Sequence, residues 1–443
     1  MQRRRWMQTV AAGTGALGFP AVVRGQNLNS RVQLAAVGTE GKGWSDFTSM
    51  RTHPKVDIVG LCDVDRARME RARHEHKGAR WFQDSRKMFE EMAGKIDAVT
   101  VSTADHMHAF ISLDAMRRRI HVHCQKPLTH NVWEARQMRL QAAKSGVITR
   151  MGNQIHSHEA YRTATKWIQD GLIGKVKTVH SWCGATGHGK SYHISRPAEA
   201  PVPETLDWDV WLGVAPHRPY AGGHRVYHPW GWRDWQDFGN GALGDFGCHI
   251  LDPVFTALGI NQPPVSVQCS DHTGMNDEVW PAQNVVHYTF PGFPSTAGPE
   301  FKITWYDGGR QPSTRGSDLP ATEGLPGSGS LFVGENGSLV LPHVGAPRLY
   351  RQGNAVAEVP EALPGLDHYH GWVDGIVSGE QPSDGFDYAG PLTEVVLLGN
   401  IAVRYRGETL AWDAAGLRVT NHAEANRWIR RAYREGWDIP SVA

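Results

Sequence analysis

Val32-Gln33-Leu34-Ala35-Ala36-Val37-Gly38-Thr39-Glu40-Gly41-Lys42-Gly43 is the stretch on which the fold turns. Its first six residues are a mostly aliphatic run suited to a buried strand, and the glycines that follow allow a tight turn and a close backbone approach to a ligand. A second apolar run, residues 56–61, ends at Cys62-Asp63. A strand, a glycine turn that opens a helix, and an acid at the end of the next strand form the dinucleotide-binding arrangement. The pyrophosphate lies at the helix N-terminus and the acid takes the ribose hydroxyls. Asp63 favours NAD over NADP, because a carboxylate repels a 2′-phosphate. The usual G-x-G-x-x-G spacing puts glycine at position 40, where this chain has Glu40. Its side chain is expected to crowd and repel the pyrophosphate, with Gly41 and Lys42 as the compensating neighbours.

Outward from this unit the βα alternation continues. Strands are expected at 79–82, 96–101, 120–124 and 147–151, with helices at 85–93, 109–118 and 132–145. Thr103, Asp105 and His108 follow one of these strands and Gln125-Lys126-Pro127 follows the next. The carboxyl edge of an open α/β sheet is where ligands bind. The candidate cofactor contacts are therefore Gly38, Thr39, Gly41, Lys42, Gly43, Asp63, Thr103, Asp105, His108 and Gln125.

The second half changes character. Runs at 176–182, 265–269, 285–290, 301–305, 331–333 and 338–341 read as strands of a mainly antiparallel sheet. Long Gly- and Pro-rich connections at 185–202 and 308–329 suit functional loops. Helices are expected at 367–378, 388–405 and 421–433. The fold class is α/β: a Rossmann dinucleotide-binding domain over 31–151, then a C-terminal α/β domain over 152–443.

Within that second domain, Gly241-Ala-Leu-Gly-Asp245-Phe-Gly-Cys-His249-Ile-Leu-Asp252-Pro253 opens a helix. Asp245, His249 and Asp252 project from one face of it, four and three residues apart. A carboxylate beside an imidazole suits proton transfer, the acid orienting the ring and raising its basicity. An N-capping aspartate and a surface histidine are the alternative reading of the same spacing.

Forty-six basic residues against 45 acidic ones give no electrostatic case for nucleic acid or an anionic membrane. Seventeen tryptophans suit stacking on sugar faces as well as core filling. The five cysteines form no C-x-x-C pair, and no histidine spacing has the H-E-x-x-H form, so no metal site is expected. Residues 1–26 combine Arg3-Arg4-Arg5 with a short, weakly apolar run, too short to span a membrane. They are similar to a twin-arginine export leader, which places the mature protein outside the cytoplasm, in the periplasm of a two-membrane cell.

Several motifs occur together: Asp105-x-x-His108, Lys126-Pro127, Gly152-Asn153-Gln154-x-His156, Trp208-Asp-x-Trp211-Leu-Gly213, Tyr227-His228-Pro229, Trp232-Arg233, Asp237-Phe-Gly-x-Gly-x-Leu-Gly-Asp245-x-Gly-x-His249 and Trp305-Tyr-Asp-Gly-Gly309. The set resembles an exported branch of the Gfo/Idh/MocA oxidoreductases over nearly all of residues 31–437. The resemblance implies a large open sheet in the second domain, NAD(P) binding, and action on a hydroxyl of a sugar, glycoside or other polyol. It also implies a homo-oligomer formed through that sheet.

Carried over by position, Lys126 is the lysine of the E-K-P motif that bonds the substrate hydroxyl. His249 is the catalytic histidine and Asp245 the acid one turn before it. Gln125 stands where the family often has Glu. Asn153, His156, His228, Trp232, Arg233 and Asp252 are the expected substrate contacts. Two alternatives accompany the dehydrogenase: a redox-neutral glycosidase that oxidises, eliminates and returns the hydride, and a carbohydrate-binding relative without cofactor, which Glu40 suggests.

Overall fold

The computed structural model describes residues 31–184, 196–222 and 226–442, so the expected leader lies outside the described residues, as does most of the connection expected at 185–202. The first domain alternates β1 (Val32–Val37), α1 (Lys42–Arg51), β2 (Val56–Cys62), α2 (Arg66–Glu75), β3 (Arg80–Phe82), α3 (Ser85–Glu91), β4 (Ala98–Val101), α4 (Asp105–Arg117), β5 (His121–Gln125), α5 (Val132–Ser145) and β6 (Thr149–Gly152). All pairs are parallel, in the order β3-β2-β1-β4-β5-β6. The strand order reverses beside β1, which opens a crevice at the carboxyl ends of β1 and β4.

Local chemistry sets the helix starts. Asp65, Asp84 and Asn131 cap α2, α3 and α5 by accepting a backbone N–H, and Gly146 closes α5 in the left-handed conformation. Helix α4 begins four residues earlier than its apolar pattern suggests, so Asp105, His106 and His108 occupy its first turn.

The second domain carries α6 (Glu159–Gln169), β7 (Val176–Cys183), α7 (Trp208–Leu212), α8 (Gly241–Leu258), β8 (Ser266–His272), β9 (Asn284–Pro291), β10 (Glu300–Asp307), β11 (Ser328–Gly334), β12 (Ser338–Pro342), β13 (Arg348–Arg351), β14 (Asn354–Ala355), α9 (His368–Ser378), α10 (Phe386–Val403), β15 (Thr409–Asp413) and β16 (Arg418–Val419). Among the described residues its ten strands run β14-β13-β12-β11-β7-β10-β9-β8-β15-β16, antiparallel except where β7 meets β10.

In β9 buried and half-buried residues alternate strictly. One face packs on α8 and α10, and the other carries residues such as His287 and Thr289. Helix α8 is almost wholly buried, between this sheet, α6 and α10.

Two differences from the sequence pattern are informative. The helix expected at 421–433 is only a short 3-10 turn, Ala423–Trp428. Asn421 accepts the Ala411 N–H at 2.8 Å, and Asn426 bonds both the N–H and the carbonyl of Val419. These side chains compete with helix formation. Helix α9 leaves the second domain and packs on α1, where Trp372, Val373 and Ile376 complete the core around Phe47 and Met50.

Candidate active site

The crevice is a cavity of about 480 Å³, walled by the carboxyl ends of β1, β2, β4 and β5 on one side and by α7, α8 and the 228–233 segment on the other. The glycine loop forms its floor. A Cβ on Gly38 would lie 2.3 Å from the Ser102 carbonyl oxygen, and one on Gly43 would lie 2.1 Å from that of Gly38, so neither position accepts a side chain. Gly41 caps α1 with a positive φ of 59°. Glu40 lines the cavity but turns its carboxylate onto the N–H of Gly41, 3.2 Å away.

At the end of β2, Asp63 is buried and accepts the Thr39 N–H at 2.9 Å, the Thr39 hydroxyl at 3.2 Å and the Asp65 N–H at 3.1 Å. Burial raises its pKa despite the bonds from Thr39 and Asp65. A carboxylate offers about four lone-pair sites, so capacity remains on the cavity side for a ribose. Cradle, helix N-terminus and acid fit a dinucleotide.

Beneath the loop lies a hub with only an i, i+4 relation to Lys42 to hint at it. Asp46 is fully buried and accepts from Lys42, from Ser102 Oγ at 2.8 Å, from Gln125 Nε2 at 2.8 Å and from the Tyr369 hydroxyl at 3.2 Å. Gln125 therefore faces a carboxylate. An amide suits that place and a glutamate does not.

The reactive end is built from both domains. Lys126 Nζ donates to Asp245 Oδ1 and to the Asp245 carbonyl, each at 2.6 Å. Arg233 Nε lies 3.4 Å from the same Oδ1. Burial alone would raise the Asp245 carboxyl, but Lys126 and then Arg233 outweigh it and hold the group well below the ordinary carboxylate range. Asp105, across the cavity, accepts from Asn240 Nδ2 at 3.1 Å, and burial lifts it to about 7 against the pull of Arg233. Two carboxyls in one site are thus shifted in opposite directions.

His249 corrects the expectation that Asp245 orients it. Its Nδ1 is bonded to Asn153 Oδ1 instead. The Asn153 amide is fixed by its Nδ2, which donates to the Cys248 carbonyl at 3.0 Å, so Oδ1 must face the ring. His249 therefore carries its proton on Nδ1, and the opposite edge, Nε2, is left as an acceptor on the cavity side. Burial, with Lys126 and His343 nearby, depresses its pKa well below the ordinary value, so the ring is neutral. The expected rise in basicity from Asp245 is overridden.

Of the remaining expected residues, Gly38, Gly41, Lys42, Asp63, Thr103, Asp105, Gln125, His228, Trp232 and Arg233 line the cavity with Lys126, Asp245 and His249. Thr39, Gly43, Asn153, His108, His156 and Asp252 stand behind its wall. His108 was expected at the cofactor. Its two ring nitrogens face backbone carbonyls, Pro127 at 2.8 Å and Thr103 at 3.1 Å, and its N–H donates to one of them, so it stands against the Lys126-Pro127 turn.

His156 and Asp252 were expected at the substrate and instead pair with each other at 2.9 Å, Asp252 also accepting from Tyr388 at 2.9 Å. Burial disfavours the imidazolium, yet Asp252 raises His156 to about 9. His228 lies not at the reactive end but 3.2 Å from Asp65, beside the ribose-facing acid. His343, which follows β12 and was not anticipated, lines the cavity 5.8 Å from the His249 ring, with Nδ1 held by Tyr161 at 2.8 Å. Its position depends on strand pairing over long range, which no local motif signals. Among the described residues no three His, Cys, Asp or Glu side chains cluster as a metal ion would need.

Residues 32–153 match the family described as an oxidoreductase family with an NAD-binding Rossmann fold, and residues 158–292 match its C-terminal alpha/beta domain. The chain is 35% identical over 191 residues to the 1,5-anhydro-D-fructose reductase of Ensifer adhaerens, covering 43% of this chain and 46% of that protein. It is 26% identical over 149 residues to the scyllo-inositol 2-dehydrogenase (NAD(+)) of Bacillus subtilis strain 168, covering 33% and 43%. These matches each span less than half of the relative's length. An aldose-aldose oxidoreductase from Caulobacter crescentus, solved with glycerol, superposes with a TM-score of 0.57 at 18% identity, covering 86% of this chain and all of that one, a likeness that shows the fold. The chain belongs to the Gfo/Idh/MocA oxidoreductase family, and its N-terminal domain is an NAD-binding Rossmann domain.

Proposed function

We propose that this protein is an NAD-dependent dehydrogenase acting on a ring hydroxyl of a sugar, glycoside or polyol. The observation that carries the reading is the Lys126–Asp245 contact at 2.6 Å, made across two domains at the end of a nucleotide cleft and beside a neutral, oriented His249. Lys126 Nζ, held in place by Asp245, donates to the substrate oxygen and favours its alkoxide character. His249 Nε2 accepts the hydroxyl proton. NAD, when bound, supplies the hydride acceptor. Trp230 and Trp232 offer aromatic faces for the apolar side of a sugar ring.

The test is a screen of sugars, glycosides and inositols with the purified full chain, read as NADH absorbance at 340 nm. Growth of absorbance with one class supports a net dehydrogenase. Glycoside cleavage with no net absorbance change favours the redox-neutral route, and activity towards none of them removes the substrate class. We further propose that the chain is exported through its twin-arginine leader, and that copies associate through the half-exposed face of the ten-stranded sheet. The basic start of residues 1–26 and the polar residues on that face support these readings.

A further inference from the structure

The second domain is stitched to the end of β2 that carries the ribose-facing acid. Arg66 donates its backbone N–H to the Thr205 carbonyl at 3.0 Å, and Asp207 donates to Val64 at 2.9 Å. Gln83 Nε2 bonds the carbonyls of both Val64 and Thr205. The chain then returns to the same place: His228 Nε2 is 3.2 Å from Asp65 Oδ2, two residues past Asp63. Five residues later Arg233 Nε is 3.4 Å from Asp245 Oδ1. Pro229, Trp230 and Trp232, between these anchors, all line the cavity, with the Arg233 guanidinium 4.1 Å over the Trp232 ring and 4.8 Å over that of Trp230. One short segment thus crosses the whole cleft, from the ribose end to the carboxylate that holds Lys126.

We propose that residues 228–233 are a strap over the bound dinucleotide, and that the nucleotide leaves only when the His228–Asp65 contact opens. The C-terminal domain then sets how long the nucleotide stays, and His228 is a nucleotide-retaining residue supplied by the opposite domain. The inference rests on the nucleotide assignment of the cleft and not on which substrate is oxidised. The two anchors differ in kind. Arg233 meets Asp245 as an ion pair and stacks on two indoles, whereas His228 offers one hydrogen bond and an edge-on contact with the Trp211 ring, so the strap opens at its ribose end.

The experiment is a chase. The full chain is loaded with NADH and mixed with excess NAD, and the loss of bound NADH fluorescence gives the release rate with no sugar present. His228→Phe keeps the ring volume and loses the bond. It should release NADH at least tenfold faster, with the association rate changed less. Asp65→Asn keeps the Oδ1 that accepts the Ala67 N–H, replaces the Oδ2 that His228 meets, and should accelerate release by a few-fold. Unchanged release in Asp65→Asn and in His228→Phe overturns the strap. If the histidine variant does not fold, unchanged release in Asp65→Asn overturns it alone. Altered release in a protein that turns over no sugar would leave the strap standing and remove the dehydrogenase reading. Unchanged release in a protein that oxidises sugars would do the reverse.

Discussion

Lys126 and Asp245 meet at 2.6 Å although 119 positions and a domain boundary separate them. The ammonium donates to both the side chain and the backbone carbonyl of the same residue, so this pair sets the distance between the nucleotide domain and α8 at the reacting end of the cleft.

That geometry predicts coupling. Lys126→Ala should lower kcat by roughly a hundred- to ten-thousandfold, the range of a positioned acid–base group. Asp245→Asn should be milder, because Arg233 and the Asp245 carbonyl still hold the region. The double variant should be no worse than Lys126→Ala, since the two act as one unit. Steady-state kinetics on the substrate found by screening decides it, and multiplicative losses would separate the two roles.

His249→Ala should cost a similar factor in kcat while leaving NAD affinity, measured by calorimetry, unchanged. Asn153→Leu should reproduce much of that loss without touching the cavity. It removes the acceptor that fixes the His249 tautomer. Asn153→Asp should shift the acidic limb of the pH–rate profile upward, because a carboxylate at Nδ1 stabilises the imidazolium.

Gln125→Glu places a second carboxylate against buried Asp46. It should destabilise the fold by about 1–3 kcal/mol, the scale of a buried polar group that loses its partner. Thermal or urea unfolding reads the change. Restoring the residue the family often has at this position should therefore harm this chain, unless Asp46→Asn accompanies it.

His156 gives a pH dependence whose sign is fixed. Its folded pKa of about 9 lies above the unfolded value near 6.5, so its contribution is fully present below 6.5 and is lost as pH rises through about 9. The contribution reaches at most about 3 kcal/mol. Urea unfolding between pH 6.5 and 9.5 should show a fall in stability that is absent in His156→Gln.

Residues 1–30 fused to a reporter that requires folded export should carry it out of the cytoplasm. Arg3→Lys together with Arg4→Lys should stop delivery, as judged by cell fractionation. Export that persists in the double variant would remove the leader.

The legible parts were local. The glycine loop, Asp63, Asp245 and His249 follow from spacing within one or two elements and border the cleft, whereas Asp252 on the same helix turns to His156 behind its wall. The partners were not legible. Asn153 serves His249 from 96 positions away, His156 serves Asp252 from an equal distance, and Tyr369 reaches Asp46 from 323 positions away. Spacing reports which residues share a face and says nothing about what the fold sets opposite them. His228 shows the cost: its motif neighbours suggested substrate, and the fold sets it against Asp65 at the ribose end.

Helix α9 bears on the order in which the protein can be made. Phe47 and Met50 are covered by Trp372, Val373 and Ile376, and the nucleotide cleft is walled in part by Trp437. A ribosome that has finished the six parallel strands has released a domain with one apolar flank still bare. That flank stays bare until more than 200 further residues have emerged. The N-terminal domain therefore gains its last apolar cover only from α9, and the nucleotide cleft gains part of its wall only once Trp437 has emerged.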